Sequence, residues 1–154
     1  MNFKKVVLAT LMLVAMAAPA MASTGDLVEL MRSDLRTQKR AIITQAMQMD
    51  EATSAKFWPV YTEFETELGK INDQRVTMIK DYAASYNSMT DATAKDLIKR
   101  GFKLQESRTS LLKKYVNKMT KATDVKTAAR WAQVEHAVDS AIDLQIASEL
   151  PLLQ

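Results

Sequence analysis

The chain has 154 residues, of which 25% are charged and 47% hydrophobic, with a formal net charge of +3 and no cysteine. The missing cysteines exclude disulfides, a lipidated cysteine anchor and thiolate metal sites, so packing alone must hold the fold. Three glycines and three prolines leave little room for a many-turned β fold and favour long helices.

The first element is a leader. Met1 to Lys5 is short and basic, Val6 to Ala18 is apolar, and Pro19-Ala20-Met21-Ala22 ends in small residues. These are the three parts of a signal peptide, and cleavage is predicted between Ala22 and Ser23. The apolar core rises only roughly 20 Å as a helix, short of a bilayer core of about 30 Å, so an uncleaved anchor fits less well. No later segment is apolar enough to span a membrane, so no stable insertion is expected after cleavage. Residues 1–22 are therefore assigned to the leader and 23–154 to a single helical domain. Removing the leader discards Lys4 and Lys5 and leaves 19 basic and 18 acidic residues. A nearly neutral protein outside the cytosol is a poor nucleic-acid binder, since that needs a clustered positive footprint.

The remaining elements read as helices. A first helix spans about Asp26 to Gln48, with Leu27, Leu30, Met31, Leu35, Ile42, Ala46 and Met49 on its apolar side. Asp50 is a plausible N-cap for a second helix from about Glu51 to about Tyr86. Its seam runs Phe57, Tyr61, Phe64, Leu68, Ile71, Arg75, Met78 and Tyr82 in alternating steps of four and three, a heptad pattern. Pro59 removes one amide near the start and predicts a kink. Thr90 caps a third helix with the seam Ala94, Leu97, Gly101, Leu104, Arg108, Leu111, Tyr115 and Met119. A break at about Thr120 to Thr123 precedes Asp124, the cap of a fourth helix. The fourth seam is Ala128, Trp131, Glu135, Val138, Ile142, Gln145 and Glu149, ending at Leu150-Pro151. The fold class is all-α: about four helices in long antiparallel hairpins.

Few residues offer chemistry. One histidine, His136, and no cysteine give no nucleophile with a base and an orienting group, so no catalytic site is assembled and no enzyme is expected. A di-iron centre needs two Glu-x-x-His pairs; here Gln133 stands three before His136, and no second histidine exists. Met47-Gln48-Met49 has a spacing used for soft Cu(I), but methionine is also common core filling, and no metal or cofactor is assigned. Folding the third and fourth helices about a turn near residue 122 sets Arg108 level with residue 136. That predicts a half-buried Arg108–Glu135 pair whose role is register; the alternative is that both side chains reach water. Phe57-Trp58-Pro59-Val60-Tyr61 is the candidate partner-binding segment. Phe57 and Tyr61 also lie on the seam. Trp58 beside Pro59 is either a partly exposed contact for partners or packs on the first helix.

This outline resembles the Spy/CpxP group of periplasmic stress proteins, which includes the zinc-resistance-associated proteins. The residues that carry the likeness are Phe57-Trp58-Pro59-Val60-Tyr61, the stretch Ala128 to Glu135 and Leu150-Pro151-Leu152, which look like exported bacterial proteins related to that group. The likeness covers about Asp26 to Gln145. The group's Leu-Thr-x-x-Gln motif is not intact. Met49-Asp50-Glu51-Ala52-Thr53 and Met89-Thr90-Asp91-Ala92-Thr93 keep a capping residue without the glutamine. The resemblance implies a periplasmic homodimer that binds unfolded or envelope proteins without ATP, as a chaperone or in envelope stress signalling. The alternatives are an adaptor for one specific envelope partner and, further off, a metal-resistance protein.

Overall fold

A computed structural model describes the backbone of residues 24–153 and the side chains of residues 36–153. The leader expected at residues 1–22, its cleavage after Ala22, and Leu27, Leu30, Met31 and Leu35 as seam side chains lie outside these limits. Four α-helices follow each other: α1 Thr24–Met47, α2 Glu51–Ser85, α3 Asp91–Ala122 and α4 Val125–Glu149, with a short 3₁₀ turn at Tyr86–Ser88. The protein is all-α, and among the described residues there is no strand and no helix long and apolar enough to cross a membrane.

The helix ends follow from local chemistry. Asp50 accepts from the Thr53 amide at 2.7 Å and opens α2. Thr90 accepts from the Thr93 amide at 3.2 Å and opens α3. Asp124 accepts from the Lys126 and Thr127 amides at 2.8 and 3.0 Å and opens α4. Each oxygen satisfies amides that the first turn leaves without a carbonyl. Those amides also hold the Asp50 and Asp124 carboxyls below their usual pKa. α1 ends differently: Gln48 adopts φ +47°, the left-handed conformation that stops a helix, in a residue with a Cβ. α2 continues through Pro59 as unbroken helix.

The chain divides into two compact units. The first joins the segment ending at Met49 to Gln133–Leu150; the second joins Asp50–Ala132 to residues 151–154. The boundary passes through α4, so one continuous helix serves both.

In the second unit, α2 and α3 form a long antiparallel hairpin. Its core is the proximal part: Phe57, Val60, Tyr61, Phe64 and Leu68 from α2, Leu111, Tyr115 and Met119 from α3, and Ala128 and Trp131 from α4 are buried. In the first unit, α1 buries Ile42, Ile43 and Met47, and α4 buries Val134, Glu135 and Val138. The α1 stripe is thus displaced from the expected one, since Ala46 and Met49 are only half-buried.

Candidate functional site

The proximal hairpin is organised by aromatic rings. Trp131 stands edge-on to Phe57, Tyr61 and Phe64 at centroid distances of 6.3, 6.3 and 5.1 Å. Phe64 meets Tyr115 at 5.5 Å, and Phe57 stacks on Tyr61 at 5.7 Å. Such edge-to-face pairs set the positive rim of one ring against the negative face of another. The consequence for the candidate segment is a correction. Phe57 and Tyr61 are fully buried, so neither offers a surface to a partner. Their heptad positions place them in the seam, and that periodicity outweighs the fact that they adjoin a tryptophan and a proline. Trp58 is half-buried, held edge-on by Phe57 at 5.2 Å and by Tyr61 at 5.4 Å, and Pro59 is exposed. Of the four residues, Trp58 and Pro59 retain surface.

Across the same hairpin, α3 clasps α2 through polar groups. Lys114 donates to both Glu67 oxygens at 2.9 Å, and the Tyr115 hydroxyl donates to Glu67 Oε1 at 2.8 Å. Lys118 bonds Glu63 one turn further along. The Lys114 ammonium, and then the Tyr115 hydroxyl, hold the Glu67 carboxyl below its usual pKa. Burial, and then the bond to Glu67, push the Tyr115 hydroxyl up to about 12.

Glu135 is fully buried, and Lys39, also buried, donates to its Oε1 within the first unit. Arg108, in the second unit, is half-buried and donates to Asn72 Oδ1 at 3.4 Å. Lys39 is thus a cation on Glu135 Oε1, at a position outside the expected α1 stripe. The signal was available: Lys39 stands three and four positions before Ile42 and Ile43, a charge on an apolar face.

Beyond Leu68 the hairpin changes character. Ile71, Arg75, Met78 and Tyr82 on α2, with Ala94, Leu97 and Gly101 on α3, are all only half-buried. Leu104 is the last buried seam residue of α3 before the turn. A shallow cleft of about 240 Å³ lies here, lined by Gln74, Thr77, Arg100, Lys103 and Leu104. Arg100 is engaged by Asp81 at 2.8 Å and by Asp96 at 3.4 Å. At the hairpin tip, Tyr82 and Tyr86 donate hydroxyl hydrogen bonds to the carbonyls of Pro151 and Leu152, tying down the C-terminal segment. His136 is exposed on α4. Among the described residues, no three His, Asp or Glu side chains gather as a metal would need.

No family model, curated protein or solved structure matches this chain.

Proposed function

We propose that this is an exported, periplasmic binding protein that holds unfolded or envelope polypeptides without ATP, in the manner of the Spy/CpxP group it resembles. The observation that supports this reading is the half-open apolar seam of the distal hairpin. Ile71, Met78 and Leu97 keep part of their surface in water along a stretch where the heptad pattern supplies apolar side chains. A narrow strip of that kind offers modest binding energy, which suits loose capture and release. Methionine adapts to many partner shapes, and Arg75 and Arg108 lend the strip charge. The chain is proposed to work as a homodimer, which joins two strips into one longer surface.

The test is suppression of aggregation of an unfolding client, at near-stoichiometric ratio and without nucleotide. Protection is expected, and it should fall in I71S/M78S while the variant keeps its helicity. No protection at several-fold excess of the wild-type protein refutes the reading. Light scattering measures the dimer.

A second reading, an adaptor for one specific envelope partner, is favoured by Trp58. Two rings fix this indole edge-on beside exposed Pro59, and a pre-ordered aromatic is the usual anchor of a specific interface. Capture from a periplasmic extract separates the two: many proteins for a chaperone, one dominant protein for an adaptor.

A further inference from the structure

The cations of α3 fall into two sets. The helix carries nine basic and three acidic side chains, an excess of six positive charges in a chain close to neutral overall. Four of the nine are engaged: Arg100 with Asp81 and Asp96, Arg108 with Asn72, Lys114 with Glu67 and Lys118 with Glu63. The other five are Lys95, Lys99, Lys103, Lys113 and Lys121. All are exposed, and none forms an ion pair with another described residue.

Their spacing puts them on one stripe. At 100° per residue, Lys99 and Lys103 lie about 40° and 80° from Lys95, Lys113 falls back in line with Lys95, and Lys121 in line with Lys103. The stripe runs roughly 39 Å along the helix. It faces away from the buried side defined by Leu104, Leu111 and Tyr115, and Glu106 is the one carboxylate within it. Beside its first half stand Ile98 and Phe102, one turn apart and 62% and 64% exposed.

We propose that this outward face of α3 docks the protein on the surface of an anionic phospholipid bilayer. A bilayer presents what the stripe complements: negative charge spread along a flat surface at least as long as the helix, with an apolar boundary just beneath. Lysine ammoniums act as point charges toward lipid phosphates while their stems lie along the apolar boundary. Ile98 and Phe102 enter the headgroup region between them, the arrangement of a helix that lies on a membrane and does not cross it. All five outward cations are lysine, a compact point charge, whereas arginine, the planar bidentate donor, is confined to the engaged set of α3. Apart from Lys103, which also borders the distal cleft, the face is separate from the half-open seam, so the inference goes beyond the chaperone reading and stands or falls separately.

Vesicle co-sedimentation tests it, using protein that carries the N-terminus left by its own processing. On vesicles with one third phosphatidylglycerol in phosphatidylcholine, at low salt, binding is expected to exceed that on pure phosphatidylcholine at least tenfold. It should vanish as salt rises and the charges are screened. K95Q/K99Q/K103Q should lose at least tenfold, since each lysine near an anionic surface contributes about fivefold. I98S/F102S should bind more weakly and keep the salt dependence. These side chains are exposed, so unchanged helicity and melting temperature check that the variants fold. Equal binding to both vesicle types, no binding to either, or a lysine variant that binds like wild type overturns the proposal. So does a duplex DNA fragment that strips the protein from the vesicles, which would make the partner a nucleic acid.

Discussion

Replacing Trp131 separates ring packing from polar satisfaction. The side chain is fully buried and meets three rings edge-on, with Phe64 nearest at 5.1 Å. Trp131→Ala empties that site, and large aromatic truncations in cores cost about 3–5 kcal/mol. The three lost ring pairs put this case at the upper end. Trp131→Phe behaves differently. The indole Nε1–H is buried and meets no acceptor among the described residues, and an unsatisfied buried donor costs about 1–3 kcal/mol. Phenylalanine removes that cost while keeping a ring against Phe64, so the loss of volume and the relief of the orphan donor nearly offset. A net change within about 1.5 kcal/mol follows. Urea unfolding followed by far-ultraviolet circular dichroism, extrapolated linearly, measures both. The loss should appear in the transition that melts the second unit. In Trp131→Phe the remaining fluorophore is half-buried Trp58, so its emission should lie to the red of that of Trp58→Phe. If the two Trp131 variants lose equal stability, or if Trp131→Ala costs under about 1 kcal/mol, the account of this core is wrong.

Three further outcomes are expected. Lys39→Met should cost about 3–5 kcal/mol, because it removes the ammonium from a buried carboxylate, whereas K39M/E135L should cost much less; equal losses in a thermal melt would mean that the pair is not held in a dry interior. Gln48→Gly should stabilise by about 0.5–1 kcal/mol, since glycine takes φ +47° without a Cβ penalty; a lower melting temperature would argue against the strained helix end. Glu67 and Tyr115 should shape the two ends of the pH profile. The Glu67 carboxyl is held below its usual 4.5, so its contribution is present above that value and lost as pH falls through the lower folded one. The Tyr115 hydroxyl is raised from 10.0 to about 12, so its contribution is full below pH 10 and lost between pH 10 and 12. Glu67→Gln should therefore be penalised at pH 6 and hardly at pH 3, and Tyr115→Phe should lose the alkaline slope; melting temperatures across pH that run parallel to wild type would contradict this.

Some of this protein was legible in its residues alone. Asp50, Thr90 and Asp124 marked three helix starts, because a side-chain oxygen satisfying first-turn amides is a local event. Period-3.5 spacing marked the seam through Phe57, Tyr61, Phe64 and Leu68, because side-chain direction on a helix follows position. The candidate site was less legible. Sequence proximity grouped Phe57, Trp58, Pro59 and Tyr61 as one segment, but helical rotation turns Phe57 and Tyr61 inward and leaves surface to Trp58 and Pro59.

What the sequence determined by itself was therefore whatever depends on neighbours a few positions away: helix type, helix ends and the inward side of the α2 and α3 seams. What the tertiary structure decided was which parts of those seams are covered and which charges are answered. Nothing in the heptads of α2 says that burial stops at Leu68, since that depends on the length of the helix lying opposite and on the third element that reaches it. Nothing in the spelling of α3 says which of its nine cations find carboxylates or an amide on α2 and which five remain facing water. Nothing in α4 says that Glu135 receives Lys39, 96 residues away in the chain. Partnership of this kind is set by distance in space, and distance in space is what folding adds to the sequence.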